Sequence, residues 1–176
     1  IESLGVHCAT PAIDGGDPTA RCLILITPDG QRTMNTFLGA AQYLPESAVD
    51  AATIEAGAIL YLEGYLWNAD QSRDAMKRAI GMARAAGRKV ALTLSDTFVV
   101  EGHRDAFFEL IDAGQIDLLF ANDSEVKAMM QTDDIAAAVT GLSQRLPVLV
   151  CTHGAAGAEA HSGDEQARVP AEPVTA

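Results

Sequence analysis

Residues 118–125 read Leu118-Leu119-Phe120-Ala121-Asn122-Asp123-Ser124-Glu125, a short apolar run that ends in polar side chains. A continuous apolar run of this length is typical of a buried strand in a parallel sheet. Asn122 and Glu125 have the spacing of a variant helix capping box, so a helix is predicted to follow directly. Both side chains would then lie at the carboxyl edge of the sheet, where open α/β sheets bind ligands.

The same alternation of apolar run and helical segment repeats along most of the chain. The four predicted strands are Ala58–Leu62, Val90–Leu94, Leu118–Ala121 and Val148–Cys151. Apolar stripes at helical spacing fall between or beside them, within residues 76–86, 107–111, 126–130 and 135–142. The strand runs are continuous, which predicts parallel strands covered on both faces. Together the pattern predicts right-handed βαβ units around a mostly parallel sheet.

Two segments outside this alternation predict antiparallel hairpins. Residues 21–27 and 32–38 flank the turn Pro28-Asp29-Gly30. The polar residues in these strands favour a half-exposed flap over a pair of core strands. A second hairpin is predicted for residues 158–161 and 166–169.

The composition narrows the classes of partner. The chain has 176 residues, 48% of them hydrophobic, which is enough for one domain with a sizeable core. A net charge of −12 argues against nucleic acid or an anionic membrane as the main partner, but not against a nucleotide. No apolar run approaches the length of a transmembrane helix. The three cysteines are odd in number and far apart, which favours reduced thiols in a cytoplasmic protein.

A glycine-spaced stretch, Thr152-His153-Gly154-Ala155-Ala156-Gly157, follows the last predicted parallel strand. Its glycines either permit a turn with positive φ or let backbone N–H groups approach phosphate oxygens, and the spacing does not decide between the two. The chain lacks a Walker-type phosphate loop and a Gly-x-Gly-x-x-Gly fingerprint. A P-loop protein is therefore excluded, and a dinucleotide dehydrogenase is disfavoured.

The remaining polar candidates each have a structural and a functional interpretation. Glu125 either completes the helix cap or holds water around Mg²⁺, which needs few carboxylates. Glu63 and Asp96 end apolar strands, and either bind substrate hydroxyls or serve as loop and cap residues. The four histidines show no metal-ligand spacing and are interpreted as surface or loop residues. Cys151 is interpreted as a small core residue.

Taken in order along the chain, these motifs resemble the PfkB-type carbohydrate kinases, the ribokinase and adenosine kinase family. Residues 28–36 resemble the lid hairpin of bacterial adenosine-kinase-like members, and residues 62–67 resemble the strand end that follows it. Residues 119–125 match the Asn-x-x-Glu motif, and residues 152–157 match the Thr-x-Gly-x-x-Gly nucleotide loop. Val169-Pro170 resembles the strand that leads into the family's signature.

The resemblance implies a ribokinase-like fold, a doubly wound α/β core with a small β-hairpin lid. It implies one incomplete kinase domain, with the lid segment at about residues 4–40 and the core at about residues 41–176. The implied activity is transfer of the γ-phosphate of ATP, with Mg²⁺, to a primary hydroxyl of a nucleoside, adenosine before others. A kinase for a free sugar and a non-catalytic nucleotide-binding domain of the same fold are the alternatives.

Site residues follow from the same resemblance. Glu125 would bind Mg²⁺ through water. The nucleotide site would be lined by Asn122, Thr152, Gly154 and Gly157. The substrate and lid residues would be Asn35, Thr36 and Glu63.

The family's catalytic aspartate is expected just after Ala176, and a ribose-binding glycine pair is expected before Ile1. The chain as given is therefore expected to be an internal fragment that has no catalytic base and is inactive alone. Its partner would be a small nucleoside or sugar, with neither nucleic acid nor membrane. Exposed strand edges of the lid favour a homodimer through that hairpin.

Overall fold

An antiparallel hairpin forms the first of two units in the chain, residues 1–43, and residues 44–176 form the second. The computed structural model describes residues 2–8 and 15–173. Strand β1 (Arg21–Ile26) pairs with strand β2 (Arg32–Phe37) as predicted. The hairpin is more exposed than predicted, since every residue of both strands is exposed and Leu23 is 73% exposed. A two-stranded ribbon has no second layer of its own to cover either face.

A six-stranded sheet organises the second unit, and its strands lie side by side in chain order. They are β3 (Ile59–Glu63), β4 (Lys89–Thr93), β5 (Leu118–Asn122), β6 (Val148–Thr152), β7 (Ala158–Ser162) and β8 (Glu165–Val169). The first four are parallel, while β7 and β8 form the predicted second hairpin and run antiparallel. The predicted α/β class with a mostly parallel sheet is therefore confirmed.

The second unit has five helices among its described residues, and α1 (Ala51–Ala56) precedes β3. The helices that connect the parallel strands are α2 (Asp70–Ala85), α3 (Thr97–Asp112), α4 (Asp123–Met130) and α5 (Ile135–Ser143). The last four contain the predicted apolar stripes, whereas the short α1 was not predicted. Three of the five begin at an aspartate whose side chain accepts a hydrogen bond from a backbone N–H: Asp50, Asp96 and Asp134. A fourth helix, α4, begins at Asn122. Local capping chemistry thus fixes where these helices start.

The core lies between the helices and one face of the sheet. Leu92, Leu119 and Leu149 on that face pack in one cluster with buried helical side chains such as Phe107 and Met129. Because β3 to β6 lie side by side in chain order, right-handed crossovers put the connecting helices α2 to α5 on one side of the sheet.

The opposite face of the sheet is less well covered than the continuous apolar runs predict. Along β5 and β6, fully buried residues alternate with half-buried ones. On β3, Tyr61 is 55% exposed, and its ring contacts that of Phe120 at a centroid separation of 6.3 Å. Among the described residues, no helix is both long enough and apolar enough to cross a membrane.

Register brings the polar strand ends to one edge of the sheet. Glu63 lies opposite Thr93 in the β3–β4 pair, and Asn122 lies opposite Thr152 in the β5–β6 pair. In the β6–β7 pair, Thr152 also lies opposite Ala158. Since β3 to β6 are parallel, these residues share the carboxyl edge of the sheet, as the sequence predicts.

Candidate functional site

Asn122 and Glu125 form a complete capping box at the start of α4. Asn122 Oδ1 accepts a hydrogen bond from the Glu125 backbone N–H at 3.0 Å. In return, Glu125 Oε2 accepts from the Asn122 backbone N–H at 3.0 Å, and Oε1 accepts from Asn122 Nδ2 at 2.7 Å. The structural interpretation of the Asn-x-x-Glu spacing is therefore confirmed, and it fixes the Glu125 carboxylate at the edge of the sheet.

Burial sets the electrostatic state of Glu125. The residue is 4% exposed, and this burial raises the pKa of its carboxyl group. The charge of Asp96 raises the pKa further, against the opposing effect of the Asn122 hydrogen bonds. Each carboxylate oxygen accepts one of those bonds and keeps capacity for another. This donor chemistry fits a contact with the water shell of a hard divalent cation such as Mg²⁺.

Asp96, Glu63 and Glu125 all lie near enough to Tyr65 for their charges to act on its hydroxyl. Asp96 caps α3 by accepting from the Phe98 backbone N–H at 3.2 Å, and its other oxygen accepts from the Tyr65 hydroxyl at 3.4 Å. The pKa of Tyr65 is raised, first by burial and then by the negative charges of Asp96, Glu125 and Glu63. The ends of three neighbouring strands therefore present acidic groups close to one another. The cap interpretation of Asp96 is confirmed, and its contact with a substrate stays a prediction.

The loop after β6 contains two glycines, and the structure explains each of them differently. Gly157 has φ +102°, and a Cβ there would lie 2.0 Å from the Val169 carbonyl oxygen, so the close approach of β8 requires glycine. Gly154 has φ +55°, but a Cβ there would meet no atom within 4 Å. The His153 backbone N–H closes the loop by donating to the Gly157 carbonyl oxygen at 2.8 Å. Only the Gly154 side therefore leaves open space for a ligand to approach the backbone.

A surface pocket of about 520 Å³ lies beside this loop. Its lining includes Asp123, His153, Ala156, Glu159, Arg168 and Val169. The four residues predicted to line the nucleotide site, Asn122, Thr152, Gly154 and Gly157, are immediate chain neighbours of lining residues and do not themselves line the pocket.

Charged side chains form a network on the wall of this pocket. His153 Nδ1 contacts the Asp123 carboxylate, and His153 Nε2 lies 3.2 Å from Glu159 Oε1. Glu159 Oε2 in turn lies 2.7 Å from Arg168 Nη2 and 3.5 Å from His161 Nε2. Burial works against ionisation of Glu159, but the positive charges and the Arg168 hydrogen bond hold the pKa of its carboxyl below the ordinary value.

This network corrects the interpretation of His161 as an ordinary surface or loop residue, and it shows that the loop residue His153 has specific partners. His161 is 8% exposed within β7, and His153 joins two carboxylates from different elements. The period of two in a strand was the available signal, because it puts Glu159 and His161 on one face of the predicted hairpin. The partner Asp123 is 30 residues away in sequence, and no local pattern predicts that contact.

Cys151 lies next to the same network. Ligand atoms of Asp123, Cys151 and His153 all lie within 4.8 Å of one another, a spacing that could hold a metal ion. Burial raises the pKa of the Cys151 thiol to about 12, and the neighbouring carboxylates add to the effect. Both ring nitrogens of His153 already face carboxylates. The contacts of this cluster are thus accounted for by side-chain pairing, with Cys151 as the predicted core residue.

Asn35 and Thr36 lie on β2 in the first unit and are exposed. Thr36 Oγ1 is 3.2 Å from Cys22 Sγ on the neighbouring strand. Their predicted contact with a substrate stays a prediction.

The pfkB family carbohydrate kinase model matches residues 1–176. The chain belongs to this family. Among curated protein sequences, no significant match to this pfkB family chain was found.

Solved structures support the family assignment and the fold. Adenosine kinase from Sinorhizobium meliloti is 37% identical, with a TM-score of 0.93 over 99% of this chain and 54% of that one. The "probable sugar kinase protein" of Rhizobium etli CFN 42 is 34% identical, with a TM-score of 0.90 over 98% of this chain and 52% of that one. The chain therefore spans about half the length of these structures.

A more distant structure extends the likeness of fold. An E. coli protein named as a ribokinase II, solved in complex with ATP and Mg²⁺, is 19% identical, with a TM-score of 0.73 over 88% of this pfkB family chain and 51% of that one. The predicted ribokinase-like fold is thus confirmed.

Proposed function

We propose that the protein containing this chain transfers the γ-phosphate of ATP to a primary hydroxyl group of a nucleoside, adenosine before others. The observation that carries the proposal is the position of Glu125: a buried carboxylate held by Asn122 at the carboxyl edge of the sheet. The open backbone at Gly154 follows the neighbouring strand at the same edge. Family membership and the 37% identity to an adenosine kinase add independent support.

In this proposal Glu125 would hold water molecules of a bound Mg²⁺, and Asp96 is close enough to add negative charge. The cation would neutralise the negative charge of the phosphates. Such electrostatic stabilisation is a main source of catalysis in phosphoryl transfer. The Asn122 side chain would keep the Glu125 carboxylate oriented, because its amide donates to one of the two oxygens. Fixed orientation matters here because positioning supplies much of the rate enhancement.

The glycine loop would bind the nucleotide through backbone N–H groups and the Thr152 hydroxyl. Gly154 leaves room for a phosphate to approach. The proposed role of Gly157 is structural support, since β8 passes directly against it. An overall charge of −12 makes these local donors important, because the surface as a whole repels an anionic ligand.

The acceptor is the part of the proposal that needs direct measurement. The adenosine kinase and the sugar kinase described above differ by only three percentage points in identity to this chain. Turnover of the complete gene product should be measured in a coupled assay with ATP and Mg²⁺, comparing adenosine, ribose and fructose. We expect the highest kcat/KM with adenosine. Activity with a free sugar alone would replace adenosine by the sugar alternative.

A non-catalytic nucleotide-binding domain is the other alternative. If no acceptor is phosphorylated, a titration with ATP and Mg²⁺ separates a binding protein from one that does not recognise nucleotide at all. Asn35, Thr36 and Glu63 are the proposed acceptor residues. Substituting Asn35→Ala should raise the KM for the acceptor and leave the KM for ATP unchanged.

A dimer through the hairpin is a further part of the proposal. Leu23 and Leu25 are exposed on β1, and exposed apolar strands are prone to pair with other chains. Sedimentation of the complete gene product should show a dimer, and Leu23→Lys should shift it toward the monomer. A monomeric wild-type protein would contradict this part alone.

A further inference from the structure

We infer that His153 is a positioning residue that fixes the glycine loop against α4 and β7 in the conformation that receives nucleotide phosphate. The inference rests on the proposed function and adds a residue to which the family motif assigns no role here. It concerns the side chain between Thr152 and Gly154, both proposed to bind nucleotide.

The first contact of His153 reaches the element that holds Glu125. Its Nδ1 pairs with Asp123, the first residue of α4 and the residue directly after the Asn122 cap. The loop and the proposed Mg²⁺ residue are thereby joined through one side chain. Movement of the loop away from α4 would break this contact.

The second contact of His153 reaches a residue of β7 that also lines the pocket. Its Nε2 lies 3.2 Å from Oε1 of Glu159 on β7, a carboxylate that is itself only 6% exposed. Arg168 on β8 holds the other oxygen of Glu159 at 2.7 Å. The histidine therefore pairs with a carboxylate that is already fixed, and little further ordering is needed to make the contact.

The two ends of the loop differ in how they are held. Gly157 is fixed by the backbone of β8, since any Cβ there would overlap the Val169 carbonyl oxygen. Around Gly154 the space is open. The ring of His153 lies next to this open end, and its side chain is 21% exposed, so its contacts are partly shielded from solvent. Hydrogen bonds to carboxylate oxygens are stronger than those between neutral groups, which supports a measurable effect on the loop.

Amide side chains allow the two contacts to be separated. In His153→Asn, the amide nitrogen approximates the position of Nδ1 and can still reach Asp123. In His153→Gln, it approximates Nε2 and can still reach Glu159. His153→Ala removes both contacts. His7→Ala is the matched control, because His7 is exposed and belongs to the first unit.

The test uses the complete gene product and measures the KM for ATP, the KM for the acceptor and kcat. His153→Ala should raise the KM for ATP by about tenfold, the size expected when two hydrogen bonds of modest net strength are lost together. The Asn and Gln variants should give intermediate values, and His7→Ala should match wild type. The KM for the acceptor should stay unchanged in all of them. An unchanged KM for ATP in His153→Ala would overturn the inference.

A second measurement needs no turnover. Backbone amide exchange of residues 153–157 without nucleotide should be faster in His153→Ala than in wild type, with the rest of the sheet unaffected. Equal exchange in both proteins would overturn the inference, as would faster exchange together with an unchanged KM for ATP. If no acceptor is phosphorylated, the proposed kinase activity fails separately, and ATP titration of the same variants replaces the KM.

Discussion

Asn122 and Glu125 hold each other through three hydrogen bonds, two between side chain and backbone and one between the side chains. The pair starts α4, and it also aims a buried carboxylate at the carboxyl edge of the sheet. One pair of residues thus has a structural role that is observed and a chemical role that is proposed. Substitutions at this pair must separate the two roles.

The chemical role is tested by Glu125→Gln. Glutamine can still accept from the Asn122 backbone N–H, but it carries no charge for the water shell of Mg²⁺. We expect kcat of the complete gene product to fall by about 10²–10³-fold, as for loss of one electrostatic group in an active site. Unfolding in urea should show a loss of only about 1 kcal/mol, because glutamine has one acceptor oxygen and loses one of the two hydrogen bonds that Asn122 donates. The exposed neighbour Ser124→Ala is the control, and wild-type kcat in Glu125→Gln would refute the metal role.

The structural role is tested by Asn122→Ala compared with Asn122→Ser. Alanine removes the cap acceptor, and the free energy of unfolding in urea should fall by about 1 kcal/mol. Serine restores a cap acceptor but not the amide that donates to Glu125 Oε1. Asn122→Ser should therefore keep most of the stability and still lose kcat. Equal stability of the alanine variant and wild type would show that the cap contributes nothing.

The two loop glycines should respond differently to alanine. Gly157→Ala combines φ +102° with a Cβ 2.0 Å from the Val169 carbonyl oxygen. It should lose more than about 3 kcal/mol of unfolding free energy. Gly154→Ala has φ +55° and open space, and should lose only about 1–2 kcal/mol, the cost of a left-handed conformation.

ATP binding distinguishes the same two variants. The added methyl group of Gly154→Ala occupies the space proposed for phosphate. The free energy of ATP binding should therefore decrease more in this variant than the free energy of unfolding does. Calorimetric titration with ATP and Mg²⁺ measures this. Undiminished ATP affinity in Gly154→Ala would place the phosphate elsewhere.

Thiol reactivity should distinguish the three cysteines. Cys8 and Cys22 are exposed, whereas Cys151 is buried and its pKa is raised to about 12. A maleimide or aromatic disulfide reagent at pH 8 should therefore label Cys8 and Cys22 in the native chain. Cys151 should react only after denaturation, since its thiol is both inaccessible and protonated. Peptide mass spectrometry identifies the labelled sites, and rapid native labelling of Cys151 would contradict the described packing.

The Glu159 network predicts an acid-sensitive contribution to stability. The pKa of Glu159 is lowered from the model-compound value of 4.5, because its positive neighbours outweigh the effect of burial. A depressed carboxyl pKa stabilises the fold above the unfolded-state value, and this stabilisation is lost as pH falls through the folded-state value. Wild type should therefore exceed Glu159→Gln in urea stability at pH 7, and the difference should shrink below about pH 4.5. A difference that does not change with pH would rule out the charge pairing as its source.

Much of the fold could be predicted because its signals are local. The strand at 118–122 is marked by its own apolar run, and its end is marked by the capping residues that follow. The hairpin of β1 and β2 is marked by the turn at Pro28-Asp29-Gly30 between two extended segments. Hydrophobic periodicity and capping act over a few residues, so the sequence carries them directly.

Burial and side-chain pairing could not be predicted in the same way. The exposure of the β1–β2 hairpin depends on which other parts of the fold pack against it, and the sequence of the two strands does not specify those. Glycine is required at position 157 because β8 passes beside the loop there, whereas the space around Gly154 is open. The spacing of the two glycines in the sequence does not distinguish them.

From the sequence alone come the order of strands and helices, the capping box of Asn122 and Glu125, and the family resemblance. The tertiary structure alone decides that His153 lies between Asp123 and Glu159, and that Asp96 adds its charge to Glu125. The physical reason is strand register: it brings together side chains that are tens of residues apart. Electrostatic coupling depends on their final distance and burial, which no local pattern encodes.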